Sequence, residues 1–127
     1  MTITRGMAEA AFTKAIIQFE KEHLGRGPLD TRTTFLGDMI LVRLKGLMTP
    51  AEQKLAATGD GRDLVKEMRR QLFESSRALL EEIVQAVVGC QLISLHTDMS
   101  TKSGERIIVF VVDADLDQLF PPPKGKR

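Results

Sequence analysis

The residues best suited to chemistry lie in one polar stretch, residues 94–105, between two strand-like runs. It holds an imidazole and a carboxylate two positions apart, His96 and Asp98, followed by the hydroxyls of Ser100 and Thr101. An imidazole beside a carboxylate can move protons or contribute to a metal site, and hydroxyls with backbone N–H groups can bind an anion. The same residue types also form ordinary turns by bonding their own backbone, so we interpret the stretch first as a structural loop.

Residue spacing indicates neither a metal centre nor a nucleophilic triad. The second histidine, His23, is far away in the sequence, and zinc sites take three or four protein ligands. The chain has no Gly-x-Ser-x-Gly motif, and no histidine or lysine pattern that would activate a thiolate surrounds its one cysteine, Cys90. We therefore expect no catalytic residues, no metal and no cofactor, and the enzyme hypothesis ranks below two binding hypotheses.

Arginines provide further candidate contacts. Arg26 lies between two glycines, but this segment follows a predicted helix and contains Pro28, which indicates a helix end rather than a phosphate loop. Arg69, Arg70 and Arg77 lie on a basic flank of another predicted helix, with acidic residues three or four positions away. This spacing is typical of a solvated helix face, and an anion or a partner protein is the alternative ligand of these arginines.

Composition excludes several classes of protein. The chain has 127 residues and a formal net charge of +1, whereas nucleic-acid-binding domains usually have a clear basic excess. It has no Trp and no Tyr that would stack on bases. No apolar run approaches the roughly 20 residues of a membrane-spanning helix, and a single cysteine fits a reducing compartment. We expect a cytoplasmic protein, peripheral to the inner face of the membrane at most, with no nucleic-acid partner and no membrane insertion.

Periodicity and turn chemistry predict the elements that position these residues. Helical spacing predicts a helix over residues 6–24 and one long helix over residues 62–88, with a weak point at residues 75–76. A capping box that begins at Thr49 starts a short helix between them. Two hairpins complete the chain, one turning at residues 37–38. The predicted class is α+β: an antiparallel four-stranded sheet of two hairpins, packed against an N-terminal helix, a short helix and one long helix.

Finer expectations concern which faces are buried. Residues 107–112 are apolar on both faces, as in a central strand. If strand geometry extends into the polar stretch, His96 and Asp98 face away from Thr97. Residues 1–120 are expected to form one domain, followed by a Pro-rich, basic, disordered tail over residues 121–127. The apolar stripe of the long helix is predicted to comprise Leu64, Val65, Met68, Leu72, Leu79 and Ile83.

Several segments, taken in order, resemble a known family. They are residues 25–28, residues 44–52, the basic helix over residues 61–77, and residues 94–101 followed by residues 105–110. The set is similar to the MpsC-like family of small bacterial proteins, over about residues 7–115. That family is named for an accessory component of a sodium-translocating, membrane-potential-generating system associated with inorganic-carbon uptake. The resemblance implies an accessory role and supplies no catalytic residues.

Two hypotheses of function follow. The first is a non-catalytic accessory or regulatory protein, a homodimer that binds a partner protein at a membrane sodium or inorganic-carbon transport system. The second is a regulatory module for a small anion, such as bicarbonate or phosphate, or for a nucleotide. Its ligand would contact the residues of the polar stretch and nearby arginines: Arg26, His96, Asp98, Ser100 and Thr101, with Arg69 or Arg70.

Overall fold

A computed structural model describes residues 3–25 and 27–123. Arg26 and residues 124–127, on which a ligand contact and part of the tail were predicted, lie outside the described residues. The strands are β1 (Asp30–Leu36), β2 (Met39–Lys45), β3 (Leu92–Ser100) and β4 (Glu105–Val112). The helices are α1 (Arg5–Phe19), α2 (Pro50–Leu55), α3 (Gly59–Ser75), α4 (Arg77–Val88) and α5 (Leu116–Leu119). The predicted α+β class, with a four-stranded antiparallel sheet, is confirmed.

The sheet has the order β1-β2-β4-β3, so its two hairpins join through the β2–β4 pair. The first hairpin turns at Gly37, whose positive φ of 62° suits a tight turn. Strand β4 lies between β2 and β3, as the apolar character of both its faces predicted. Strand β3 is an edge strand and therefore has neighbours on one side only.

One face of the sheet packs against the helices and forms the core. Phe12 of α1 contacts Phe110 of β4 edge-to-face, with ring centroids 5.1 Å apart. The central strands contribute fully buried inward side chains, including Ile40, Val42 and Ile108. Alternation along each strand therefore places the intervening residues on the other face, which we call the outward sheet face.

The first helix changes its geometry at its C-terminal end, where it contacts α3. Residues predicted as one helix form α1 and then a π-helical turn over Glu20–Leu24. Residues Ala8, Phe12 and Ile16 are buried at four-residue spacing, and Glu20 continues this series on the buried side. Short π-helical turns are rare and occur frequently at functional sites.

The predicted long helix is interrupted, and α3 and α4 meet at Ser76. The backbone of Ser76 has φ −102° and ψ 10°, and its N–H bonds the Phe73 carbonyl three residues earlier. The hydroxyls of Ser75 and Ser76 both donate to the Leu72 carbonyl, at 2.8 and 2.9 Å. These side-chain bonds compete with the regular helical ladder, which gives the predicted weak point a physical cause.

The buried stripe of α3 differs from the predicted one. Val65 is buried as expected, but Leu64 and Met68 are 59% and 43% exposed. The inward series is Gly61, Val65, Arg69 and Phe73, one position further round the helix. The prediction was wrong because it assigned the inward face by hydrophobicity alone, and an arginine occupies the centre of the real one.

The predicted loop over residues 94–105 is mostly strand. Strand β3 continues to Ser100, and the connection to β4 is only the turn at residues 101–104. Thr97 pairs with the buried Ile108, whereas His96 pairs with Val109 on the outward sheet face. His96 and Asp98 therefore face away from Thr97, as strand geometry predicted.

Candidate functional site

The richest group of charged side chains surrounds a cleft of about 360 Å³ between α3 and the β3–β4 hairpin. We call it the arginine cleft. Helix α3 contributes one wall, and the edge strand with its neighbour β4 contributes the other. Its polar lining contains four cationic side chains, four carboxylates and one hydroxyl: Lys66, Arg69, Arg70, Arg106, Asp63, Glu67, Glu74, Asp98 and Thr97.

Arg106 lies at the floor of the cleft because it occupies an inward position of β4. Its side chain is only 2% exposed, and its guanidinium lies over the Phe73 ring at 4.7 Å. Nη1 donates to the Thr97 hydroxyl at 2.9 Å, and that hydroxyl donates to the Ile107 carbonyl. Burial lowers the pKa of Arg106, but a guanidinium remains charged in proteins. The floor therefore presents a fixed cation held by one hydroxyl.

Arg69 joins α3 to the start of α2. It is 2% exposed and donates to both carboxylate oxygens of Glu52, at 2.9 and 2.7 Å, and to the Leu47 carbonyl at 3.0 Å. Glu52 also closes the capping box with Thr49 that the sequence predicted. Burial acts to raise the pKa of Glu52, but bonds from Arg69 and Thr49 outweigh it and lower that pKa. Arg69 is therefore paired with an ionised carboxylate, that of Glu52.

Glu20 lies fully buried beside the two arginines. Its Oε1 is 4.0 Å from Arg69 Nη1, which is outside hydrogen-bond distance. Among the described residues, both Glu20 oxygens, Arg69 Nη1 and Arg106 Nε are buried without a hydrogen-bond partner. Burial raises the pKa of Glu20, although the charges of Arg106 and Arg69 oppose the shift. The protein interior thus favours the neutral carboxyl more than water does.

The mouth of the cleft is lined by exposed ion pairs. Lys66 Nζ lies 3.5 Å from Asp98, whose side chain is 84% exposed, and Arg70 contacts Glu67 at 2.7 Å. A backbone hydrogen bond from Met99, assisted by Lys66, lowers the pKa of Asp98. Hydrogen bonds from Arg70 and Gln71 lower the pKa of Glu67 to about 2. These carboxylates are ionised at neutral pH, and each is paired with a neighbouring cationic side chain.

The predicted site residues separate into groups. Arg69, Arg70 and Asp98 line the arginine cleft. Asp98 also lines a neighbouring shallow hollow together with Ser100 and Thr101. The loop-based anion hypothesis stays a prediction, and its residues Asp98, Ser100 and Thr101 lie at these two hollows.

Two other predicted residues lie elsewhere. His96 is exposed on the outward sheet face, where its Nε2 is 3.1 Å from the Ser94 hydroxyl. Arg77 begins α4 beyond the break at Ser76 and lines neither hollow. A proton-transfer site at His96 would therefore consist of Ser94 and other groups that do not line the arginine cleft.

Sequence reasoning missed two charged residues at the floor of the cleft. Glu20 continues the four-residue series of buried side chains in α1, so its position indicated burial. Arg106 alternates with Ile108 and Phe110, which places it on the inward face. Helix and strand periodicity contained the signal, but the charges of Glu20 and Arg106 suggested exposure.

A second surface of interest is the centre of the outward sheet face. Its central strands present Met39, Leu41, Ile107, Val109 and Val111, none of which belongs to the described core clusters. Leu41 is 37% exposed. An antiparallel sheet with one solvated face usually alternates apolar inward and polar outward residues. These two strands instead remain apolar on the side that no described helix covers.

Comparison with known proteins adds the family. Residues 4–114 match the family described as the Na⁺-translocating membrane potential-generating system protein MpsC. The chain belongs to the MpsC family. YbcI of Bacillus subtilis strain 168, described as an uncharacterized protein, is 39% identical over 118 residues, which are 93% of this chain and 95% of YbcI. YrhF of the same strain, also described as uncharacterized, is 29% identical over 108 residues, which are 84% of this chain and 88% of YrhF.

No solved structure matches this MpsC-family chain significantly. Across residues 3–25 and 27–123, no helix combines the length and apolar character that crossing a bilayer requires. In the same ranges, no group of three or more His, Cys, Asp or Glu side chains is arranged to hold a metal ion.

Proposed function

We propose that this MpsC-family protein is a non-catalytic accessory or regulatory protein that acts by binding other protein chains through its outward sheet face. The family description supports a place at a sodium-translocating, membrane-potential-generating system. The proposed location is the cytoplasm, at the inner face of the membrane. The single observation that carries the proposal is the uncovered apolar centre of the sheet.

The apolar centre of the outward sheet face spans two strands. Two strands spaced about 4.8 Å apart, each about seven residues long at roughly 3.3 Å per residue, form a band of about 10 by 23 Å. The band continues on to β1 at Leu36, which is 56% exposed and pairs with Met39. Binding of another chain would remove its side chains from water.

The proposed first occupant is a second copy of the chain. Two sheets pack face to face at about 10 Å, so a two-fold axis would bring identical outward faces together. The rim carries both signs of charge, as in the ion pair between Arg43 of β2 and Glu105 of β4. A mixed rim avoids the like-charge repulsion that a single-sign face would meet in its own copy.

Val109 is the best position for testing the proposal. It lies in β4 between Leu41 of β2 and His96 of β3, at the centre of the outward sheet face. Val109→Asp places a charge where a second sheet would pack. Leu64→Asp is the matched control because Leu64 is 59% exposed on α3, in the helical layer. Sedimentation velocity at micromolar concentration should show a dimer for the wild type and for Leu64→Asp, and a monomer for Val109→Asp.

A second measurement separates the dimer from binding to another protein. Tagged wild type, Val109→Asp and Leu64→Asp would be expressed in the native cells and quantified in washed membrane fractions. A monomeric wild type whose membrane association is lost only in Val109→Asp would support partner binding and overturn the dimer. A monomeric wild type with equal association of all three chains would overturn the proposed role of the outward sheet face.

A further inference from the structure

We propose that the arginine cleft binds a small oxyanion, a phosphate or carboxylate group, between the floor arginines Arg69 and Arg106 and the mouth lysine Lys66. This site is separate from the outward sheet face, because Arg106 points to the helical side of β4. It also differs from the 96–105 loop as a whole, since His96 lies on the opposite side of the sheet.

The first support is the unused hydrogen-bonding capacity beside the cleft. Arg69 Nη1 and Arg106 Nε are buried donors without acceptors within the described structure. An unsatisfied buried donor costs roughly 1–3 kcal/mol, and more when it is charged. Replacing a buried ion pair by packed apolar residues of similar size often leaves the stability of a protein unchanged or raises it. Two buried arginines with unused donors are therefore better explained by a ligand than by folding alone.

The second support is the balance of charge. Glu52 is hydrogen-bonded to Arg69, so it compensates that guanidinium. Arg106 has only the neutral Thr97 hydroxyl as a hydrogen-bonded side-chain partner among the described residues. The buried carboxyl Glu20 is 4.0 Å from Arg69 and makes no hydrogen bond among the described residues. No carboxylate is therefore hydrogen-bonded to Arg106 at the floor in the described structure, and an anion could take that place.

The third support is access and size. The volume of about 360 Å³ falls within the usual range of small-ligand pockets, roughly 300–1,000 Å³. Lys66 at the mouth is half-exposed and contacts the highly exposed Asp98. Exposed ion pairs contribute little stability, so exchanging Asp98 for a ligand oxygen would cost little. Guanidinium groups suit this task because their fork geometry matches carboxylate and phosphate oxygens.

The competing occupant is water. Buried waters commonly satisfy polar groups of this kind, and Glu20 would then be bridged to both arginines. Water would fill the floor without responding to anions in solution, whereas an oxyanion site would saturate. The experiment therefore measures saturable binding, and it locates that binding in the structure.

The test uses the full chain with inorganic phosphate and with malonate, at constant ionic strength maintained by sodium chloride. Amide NMR titration should show saturable shifts centred on residues 66–73 and 97–106. Thermal melting temperature should rise with the same midpoint. Inorganic phosphate active alone would indicate a phosphate site, malonate active alone a carboxylate site, and equal responses a site that recognises shared oxyanion charge and geometry.

Variants determine which side chains hold the anion. Arg106→Lys should weaken binding at least about tenfold, since it removes fork hydrogen bonds to a charged ligand. Lys66→Gln should weaken it roughly threefold, in keeping with a solvent-exposed charge. Lys14→Gln is the matched control because Lys14 is an exposed lysine of α1 that does not line the cleft. This control should bind like the wild type.

Unsaturable shifts, shifts located elsewhere, or equal affinities of wild type and Lys66→Gln would each overturn the proposal. If Arg106→Lys fails to fold, Thr97→Val replaces it, because this change keeps the side-chain shape and removes the hydroxyl that holds Arg106. Thr97→Val should also weaken binding, and unchanged affinity would count against Arg106 as a ligand.

Discussion

Arg69 should be the most consequential polar residue for folding. Arg69→Met retains an unbranched side chain of similar reach, and Met adapts well to irregular packing. It removes the two bonds to Glu52 and the bond to the Leu47 carbonyl. The change therefore tests the link between α2 and α3 without creating a large cavity.

The expected magnitude follows from what remains buried. Removing one partner of a buried ion pair costs roughly 3–5 kcal/mol, because the other charge stays uncompensated. Glu52 is 12% exposed and keeps its bond from the Thr49 N–H, so we expect the lower end, about 3 kcal/mol. The unpaired Leu47 carbonyl adds about 1 kcal/mol. A loss near 4 kcal/mol is a large share of the roughly 5–15 kcal/mol that stabilises a typical domain.

Urea unfolding at neutral pH measures this loss, and an unchanged m-value would show that the native state stays compact. Glu52→Gln and the double variant complete a cycle in which the pair should be coupled by about 1–3 kcal/mol. Arg70→Met is the control, because Arg70 is an exposed neighbour on the same helix and should leave stability unchanged. A loss below about 1 kcal/mol for Arg69→Met, or zero coupling, would refute the reasoning.

Three further predictions concern single residues. Burial raises the folded pKa of Glu20 above its ordinary value of 4.5, so wild-type stability should fall as pH rises from there through the folded pKa. Glu20→Gln should flatten this part of the profile of unfolding free energy against pH, and an unchanged slope would contradict the assignment. Thr49→Ala should cost about 1 kcal/mol in urea unfolding, because it removes a helix N-cap. Gly61→Ala should lower the melting temperature, since its Cβ would lie 1.7 Å from the Leu55 carbonyl oxygen, a clash that outweighs the roughly 1 kcal/mol gain in helix propensity. Gly59→Ala, which meets only an ordinary contact at 3.6 Å, should not lower it.

Local rules predicted the elements well where one strong signal dominated. The capping box at Thr49 and the turn at Gly37 were both read from residue types with specific backbone roles. The break at Ser76 was predicted only as a weak point, because its cause is a pair of side-chain bonds to one carbonyl. Turn and cap chemistry is local, so the sequence contains it directly.

Long-range contacts explain the misses. The inward side chains of Arg69 and Arg106 come from α3 and β4, and Glu20 reaches them from the π-helical turn that follows α1. Hydrophobicity assigned Leu64 and Met68 to the core in their place, although both are exposed. No local pattern indicates that two arginines and a carboxyl will share one buried space. Such a cluster follows only from packing α1, α3 and the sheet together.

Strand β4 connects the two proposed binding surfaces. Arg106 points into the arginine cleft, while the adjacent Ile107 and its alternating neighbours lie on the outward sheet face. An anion that fixes Arg106 and a second chain that packs on Ile107 would therefore order the same stretch of backbone from opposite sides. Coupling between binding sites is reciprocal, so a phosphate that tightens dimer formation must bind the dimer more tightly than the monomer. Because a dimer holds two clefts, the dimerisation constant should change by the square of the affinity ratio per cleft. Sedimentation with and without phosphate measures one side of this relation, and phosphate titration of wild type and Val109→Asp measures the other.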